Sequence, residues 1–161
     1  MPVRRQLTYK SLDDVMPDVD RLLLGHVTVK NWSLGQICNH LATSMRLTVE
    51  GSSSKSVKAW LIRYTVGRLA RRHLLKTKCM PENFKVPIPI LIPKSGLDDR
   101  AEAESLRATI RHFLSAEGPF RTHPIFGDLS DEEWRQFHAI HCAHHLSFAV
   151  PTQTTSKILS R

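Results

Sequence analysis

Four histidines crowd the C-terminal part of the sequence, at His138, His141, His144 and His145. Imidazole is the commonest transition-metal ligand in proteins, so a cluster of this kind predicts a metal site. On a helix, residues four apart differ in direction by ~40° and by one turn of rise, so His141 and His145 can reach one ion. His138 and His144 can each pair with His141, whereas His138 and His145 lie roughly 10 Å apart along the axis. His141 is therefore common to every workable pair.

A third ligand must come from another part of the chain, because catalytic transition-metal sites usually have three protein ligands and one open position. His40 is the best candidate, since it lies in a predicted helix beside Leu41 and Met45, and a histidine that faces a core needs a partner. Other interpretations stay open. A single histidine on a helix is more often a satisfied core residue, and the C-terminal cluster could sense pH or form an interface.

The three cysteines raise the question of a catalytic thiol. Cys38 is two residues from His40 and points ~200° away on the helix, so it cannot share an ion with that histidine. Cys142 diverges from its neighbour His141, and we interpret both cysteines as packing residues. Cys79, in a predicted loop, is left undecided. The odd number of cysteines and their wide spacing favour a reducing, cytoplasmic compartment.

Helical periodicity predicts five helices, over residues 11–24, 33–51, 57–76, 97–116 and 130–150. Two of them begin with capping boxes, in which a serine and the side chain three residues later satisfy loose backbone donors; these boxes start at Ser33 and Ser130. Trp32 and Trp134 lie at these two helix entries, where we expect them to pack and where either could line a pocket mouth. The apolar residues expected in the core from the third helix are Trp60, Leu61, Tyr64, Leu69 and Leu74.

Residues 79–95 contain four prolines and cannot form a helix. We expect an ordered, extended crossover, because five of its apolar side chains would be costly to leave in water. These five are Val86, Ile88, Ile90, Leu91 and Ile92. Four long helices with one lengthy connection predict an all-α fold, a four-helix bundle with a crossover loop.

The chain length of 161 residues fits one domain, spanning residues 1–161. Residues 1–10 and 152–161 are expected to be flexible tails. The sequence shows no signal peptide and no apolar run long enough for a membrane span, so we predict no membrane association.

The net charge of +8 and a pI near 9.8 favour anionic partners. Six of the basic residues fall within residues 63–78, most simply as a solvated helix face. Zinc-finger spacing, RNP-like aromatic motifs and base-stacking aromatic residues are missing or scarce, so a nucleic-acid role ranks last.

Two segments resemble the DinB-like superfamily. The segment NWSLGQICNHLA, residues 31–42, resembles its second-helix motif, in which a tryptophan and a serine open the helix and a His-Leu pair carries the first metal ligand. The segment HCAHH, residues 141–145, resembles its His-x-x-His-His motif, whose first and last histidines bind metal. The stretches HPIFG at 123–127 and HHLSF at 144–148 are similar to an uncharacterised bacterial branch of the superfamily.

The resemblance implies a four-helix bundle in which His40, His141 and His145 hold one divalent ion, most often nickel or zinc. Some superfamily members are thiol-dependent transferases or isomerases, which implies a low-molecular-weight thiol as cofactor and a small electrophile as substrate. Many members follow the histidine pair with Arg-Gly-Gln, whereas this chain has Leu-Ser-Phe at 146–148, so its pocket lining departs from that pattern.

The sequence therefore favours a metal-dependent transferase that acts on a thiol and a small electrophile, although hydrolysis by metal-bound water would need the same open site. His138 or His144 would carry protons or support the ligand rings through hydrogen bonds; alternatively, each is a packing or surface histidine. The alternative function is a non-catalytic metal-binding or ligand-binding module, such as a stress sensor. A homodimer is compatible with either function.

Overall fold

The computed structural model describes residues 2–51, 67–81 and 89–152. These residues form five α-helices, two short strands and two 3-10 turns, the latter at Leu12–Asp14 and Pro89–Leu91. The helices are α1 (Val15–Leu23), α2 (Leu34–Glu50), α3 (Arg68–Thr77), α4 (Asp99–Ser115) and α5 (Asp131–Leu146), and the strands are β1 (His26–Thr28) and β2 (Ala149–Pro151). Within these ranges, no helix has the length and apolar character needed to cross a membrane.

Helix α2 begins and ends where the sequence predicts. The Ser33 hydroxyl accepts from the backbone N–H of Gln36, and the Gln36 side chain accepts from the backbone N–H of Ser33, which completes the capping box. At the other end Gly51 adopts a φ of +86°, a conformation that other residues rarely reach, and its N–H bonds to the Leu47 carbonyl.

The core forms mainly between α2 and α4, which pack along each other. Gly35 permits this approach, because a Cβ at this position would lie 2.9 Å from the Leu97 carbonyl oxygen. The Gly35 N–H donates to the Asp99 carboxylate at 2.6 Å. Fully buried side chains from both helices meet here, namely Leu34, Ile37, Leu41, Met45, Leu106 and Phe113.

Helix α5 carries the histidine cluster, and it too begins at its predicted capping box. Ser130 and Glu133 satisfy each other's backbone donors. The Glu133 carboxylate also forms an ion pair with Arg71 of α3, with Arg71 Nε 3.0 Å from Oε1. One carboxylate therefore both caps α5 and attaches α3 to it.

The small sheet corrects the all-α prediction. Strands β1 and β2 pair antiparallel, with His26 opposite Pro151 and Thr28 opposite Ala149, and α5 ends at Leu146 rather than near residue 150. Strands of three residues are too short to show alternation in a sequence, and partners so far apart leave no hairpin signal. The fold is therefore mostly helical with a two-stranded addition.

The N-terminal segment is attached to the helices, in contrast to the flexible tail predicted for residues 1–10. Arg5 donates from both terminal nitrogens to the Asp18 carboxylate at 2.8 Å, and the buried Tyr9 hydroxyl donates to the same carboxylate at 2.7 Å. A carboxylate buried in this way requires such partners, which explains why the segment is ordered. Residues 153–161, most of the other predicted tail, lie outside the described residues.

The predicted third helix and crossover are described only in part. On α3, Leu74 is buried but Leu69 is 73% exposed. The two residues are five apart, so their side chains point in directions that differ by ~140° around the helix axis. Ile90 and Ile92 are also exposed, although we expected them to be buried because apolar side chains are costly to leave in water. Single exposed apolar side chains are nevertheless common on protein surfaces. The other predicted core positions on these segments, Trp60, Leu61, Tyr64, Val86 and Ile88, lie outside the described residues.

Candidate metal centre

Three histidines from two helices meet beside the core. His40 comes from α2, and His141 and His145 come from consecutive turns of α5. One ring nitrogen of each lies within 4.8 Å of the other two. We call His40, His141 and His145 the histidine trio. It could hold a metal ion, and it consists of the three residues that the sequence singled out.

The distances within the histidine trio suit a transition metal. The Nε2 atoms of His40 and His141 lie 3.1 Å apart. Ligand nitrogens of a tetrahedral zinc site, with bonds of about 2.0–2.1 Å, are separated by about 3.3 Å. The His40–His141 pair therefore needs almost no movement to accept an ion, and a separation of up to 4.8 Å elsewhere in the trio requires an adjustment of at most about 1.5 Å.

The backbone of the Pro89–Leu91 turn orients His40. The His40 Nδ1–H donates to the Leu91 carbonyl oxygen at 2.7 Å. This hydrogen bond fixes the proton on Nδ1 and leaves the lone pair of Nε2 directed at His141. Metal-ligating histidines almost always have such a partner on the second nitrogen, because it holds the ring and raises its basicity.

Burial keeps the rings of the trio neutral. Desolvation lowers the pKa of His40, although the hydrogen bond to Leu91 opposes this shift. Desolvation and the other nearby histidines lower the pKa of His141 and of His145 well below the usual value for histidine. Since a histidine must lose its proton to bind a metal, these shifts favour coordination at neutral pH.

Trp32 lies against the trio at the N-terminal end of α2. Its ring stacks on His145 with centroids 5.6 Å apart, and it lies 5.1 Å from the His40 ring. Trp32 and His145 are both half-buried, whereas His40 and His141 are each 8% exposed. The trio is thus most deeply buried at His40 and His141 and partly exposed at His145, against which Trp32 stacks.

His138 belongs to the core. It is fully buried, stacks on Trp134 with centroids 5.4 Å apart, and lies edge-on to Phe113. The Thr48 hydroxyl donates to the Ser44 carbonyl at 3.2 Å, so His138 donates from Nε2 to the same hydroxyl at 3.0 Å. Desolvation lowers the pKa of His138 to about 3, so the ring is neutral at physiological pH. These contacts fit the packing interpretation better than that of a proton carrier.

His144 contacts the trio from the side. Its ring lies edge-on to His145 with centroids 4.9 Å apart. Its Nδ1 lies 3.2 Å from the Met80 carbonyl oxygen and 3.3 Å from Nη2 of Arg4. His144 therefore contacts the His145 ring edge-on, and its role as a proton carrier, as support for a ligand ring or as a packing residue stays a prediction.

The cysteines do not join the trio. Cys38 and Cys142 are fully buried. Burial raises the pKa of the Cys38 thiol to about 12 and also strongly raises the pKa of the Cys142 thiol. Both therefore remain protonated packing residues, as interpreted from the helix geometry. Cys79 is an exposed free thiol.

The loop HPIFG also has a structural explanation. Backbone hydrogen bonds join His123 and Gly127 in both directions, and the His123 Nδ1 accepts from the N–H groups of Ile125 and Phe126. The His123 ring stacks on Phe126 with centroids 4.4 Å apart. The histidine therefore holds a tight turn that precedes α5.

Sequence reasoning missed two contributors to the surroundings of the trio. The Leu91 carbonyl has no signal in the sequence, because any residue supplies one. Arg4 was assigned to a flexible tail, yet its Nε donates to Ser147 Oγ at 2.8 Å, close behind His145 in the chain. Only the tertiary contact reveals either of them.

Comparison with known proteins gives a family without an assigned activity. The family model DUF1569, described as "Protein of unknown function", matches residues 1–152. No curated protein matches the chain, and no solved structure matches it.

Proposed function

Since the chain belongs to the DUF1569 family, whose description names no activity, we propose its function from the histidine trio: it is a metal-dependent transferase of the DinB-like type. The trio holds one divalent transition-metal ion, nickel or zinc, within a four-helix bundle. The substrates are a low-molecular-weight thiol and a small electrophile.

One observation supports this proposal above the others. Three imidazoles with lowered pKa values converge without a fourth ligand group among the described residues, and the His145 ring is partly exposed. Three protein ligands with one open position are typical of catalytic sites, whereas structural sites are closed by four. A bound divalent ion lowers the pKa of a coordinated thiol, which supplies a thiolate nucleophile at neutral pH.

The residues of this chain have defined tasks in such a reaction. His40 is held in its ligating tautomer by Leu91, and Trp32 supports the His145 ring by stacking. His144 contacts His145 edge-on. No described cysteine belongs to the trio, and in this proposal the thiol is a separate molecule.

The first test measures metal content. Untagged wild-type protein should bind about one equivalent of nickel or zinc. His141→Ala should abolish stoichiometric binding because it removes the ligand shared by every pair on α5. His145→Ala should do the same with less effect on folding, since this ring is less buried than that of His141.

The control is His73→Ala, which removes an exposed histidine on α3. It should leave metal binding unchanged, and circular dichroism of each variant in chelator checks that the fold is retained. Retention of metal by both trio variants would eliminate the proposed site.

A second test separates transfer from simple binding. Metal-loaded protein is screened for loss of free thiol in the presence of small electrophiles, with several cellular thiols. One outcome is that metal binds tightly, no thiol is consumed, and no thiol changes the absorption spectrum of the metal-loaded protein. That outcome favours the alternative of a non-catalytic metal-binding or ligand-binding module.

A further inference from the structure

The net charge of the chain comes from one stretch of its sequence. Residues 51–81 contain eight basic residues and no acidic residue, and the rest of the chain contains equal numbers of the two, so this stretch accounts for the whole net charge of +8. Within it the structure describes residues 67–81, which include helix α3. The placement of the basic residues on α3 therefore decides where part of this charge is presented.

Helix α3 presents three of its four basic side chains to solvent. Leu74 is buried, and Arg71 forms the ion pair with Glu133 of α5, so this side of the helix is held against the protein. The three remaining basic residues are all exposed, and we call them the basic face: Arg68, Arg72 and Lys76. Because they are four residues apart, each lies one turn further along the helix and ~40° further around it, and the three span ~12 Å.

The basic face has no counter-charge in the described structure. Within residues 2–51, 67–81 and 89–152, no carboxylate forms an ion pair with any of its members, and α3 itself contains no acidic residue. Arg107 on α4, in contrast, pairs with both Asp20 and Glu104. Like charges four residues apart destabilise a helix, so this arrangement does not serve stability. It favours the binding of an anion that supplies the missing charge.

The geometry of the basic face suits an extended anion. Cations spread over ~12 Å of an exposed helix do not converge on one small ion, whereas a nucleic-acid duplex carries one negative charge per ~1.7 Å of its axis. Contacts to phosphate require no base-reading motif, so the scarcity of such motifs in the sequence does not oppose them.

A membrane surface fits the helix less well. Helices that lie on a membrane bury a broad apolar face in it. Among the leucines of α3, only Leu69 is exposed, because Leu74 is buried and Leu75 packs against the core. The apolar side of α3 is therefore already used within the protein, and its outer side offers mainly charge.

We propose that the basic face binds the phosphate backbone of a DNA duplex without reading its sequence. The two guanidinium groups can each bind a phosphate through two hydrogen bonds, and the Lys76 ammonium binds as a point charge. Binding of this kind is weak, with a Kd of about 10⁻⁴–10⁻⁶ M at physiological salt. No member of the basic face belongs to the histidine trio, so this inference does not depend on the proposed function.

The test measures the binding of full-length protein to a short fluorescein-labelled DNA duplex, by fluorescence anisotropy at several salt concentrations. Three phosphate contacts predict that log K falls with log[salt] with a slope of about −2.7, a loss of about 40-fold in affinity between 50 and 200 mM. Arg72→Gln should make this slope shallower by about one, since one phosphate contact is lost. The triple variant Arg68→Gln, Arg72→Gln and Lys76→Gln should show almost no binding at the lower salt concentration.

A second triple variant separates the basic face from net charge. Lys10→Gln, Arg100→Gln and Arg111→Gln together remove the same charge at exposed positions outside α3. This variant should keep the salt slope and most of the affinity. Urea unfolding checks the folding of both triple variants, and the α3 variant should be at least as stable as the wild type, because repulsion between like charges is removed.

Two further probes identify the anion. Vesicles of phosphatidylserine and phosphatidylcholine test a membrane, and polyglutamate tests an acidic protein segment. Equal losses of duplex binding in the two triple variants, or a salt slope that Arg72→Gln leaves unchanged, would overturn the inference. Binding to the vesicles or to polyglutamate that is tighter than binding to the duplex would also overturn it, because the partner would then belong to another class.

Discussion

The histidines of α5 lie in different environments because they occupy different positions around the helix. His138 and His141 are three residues apart, yet His138 packs between Trp134 and Phe113, whereas His141 faces His40 across the helix interface. A rotation of ~60° between them is enough to direct one ring into the apolar core and the other toward the trio. Each environment disfavours protonation, but only the second provides further ligands.

At the residue scale, we predict that His138 makes the metal-free protein sensitive to acid. The pKa of His138 is about 3 in the folded state, compared with 6.5 for an ordinary histidine, so between these values the unfolded chain binds a proton that the folded chain does not. Stability due to this group is therefore full above pH 6.5 and falls as the pH decreases, by up to about 1.4 kcal/mol per pH unit. His138→Phe should remove this contribution.

Urea unfolding in chelator at several pH values between 7 and 4 measures the effect. The free energy of unfolding should depend less steeply on pH in His138→Phe than in the wild type. His73→Ala, at an exposed position, should leave the slope unchanged. Identical slopes in all three proteins would show that His138 takes up its proton without unfolding.

At the element scale, α2 and α5 position the trio because their starting points are fixed. Each begins at a serine capping box, so the register of His40 on α2 and of His141 on α5 is set by local hydrogen bonds. Trp32, directly before the cap of α2, then lies where it can stack on His145. A local sequence signal thus determines the phase of each helix.

Ser33→Ala should lower the free energy of unfolding by about 1 kcal/mol, because the backbone N–H of Gln36 loses its acceptor. Ser33→Thr keeps a hydroxyl at the cap and should retain most of the stability. Chemical denaturation of the two variants and the wild type provides the comparison. If the alanine and threonine variants were equally stable, the capping hydrogen bond would not contribute.

At the scale of the whole molecule, the Asp18 carboxylate and its partner Arg5 connect α1, the N-terminal segment and the end of α5. Asp18 on α1 binds Arg5 and Tyr9 of the N-terminal segment, and Arg5 also donates to the Leu146 carbonyl at the end of α5. Burial raises the pKa of Asp18, but the hydrogen bonds from Arg5 and Tyr9 outweigh it and hold the pKa below the usual value. The same contacts place Arg4 beside His144 and Ser147 at the end of α5.

Asp18→Asn should lower the free energy of unfolding by about 2–3 kcal/mol, because it leaves the partly buried Arg5 without its counter-charge. Asp20→Asn is the matched control, since Asp20 pairs with Arg107 on the surface and its loss should cost under about 1 kcal/mol. Thermal and urea unfolding measure both. A change in Asp18→Asn no larger than that in Asp20→Asn would mean that the connection contributes no more than a surface pair.

Much of the candidate site follows from the sequence because its determinants are local. Helical periodicity, two capping boxes and the spacing of His141 and His145 depend on neighbouring residues, and a helix converts such spacing into direction. The same reasoning places Cys38 away from His40. The predicted trio is therefore the set of residues that the structure brings together.

Tertiary structure alone decided which distant groups complete the site. His40 and His141 are 101 residues apart, Leu91 offers only a backbone carbonyl, and Arg4 contacts His144 from the opposite end of the sequence. The three-residue strands and the attached N-terminal segment have no local pattern either. Contacts of this kind depend on how whole elements pack, because their free energy comes from partners that the adjacent sequence does not contain.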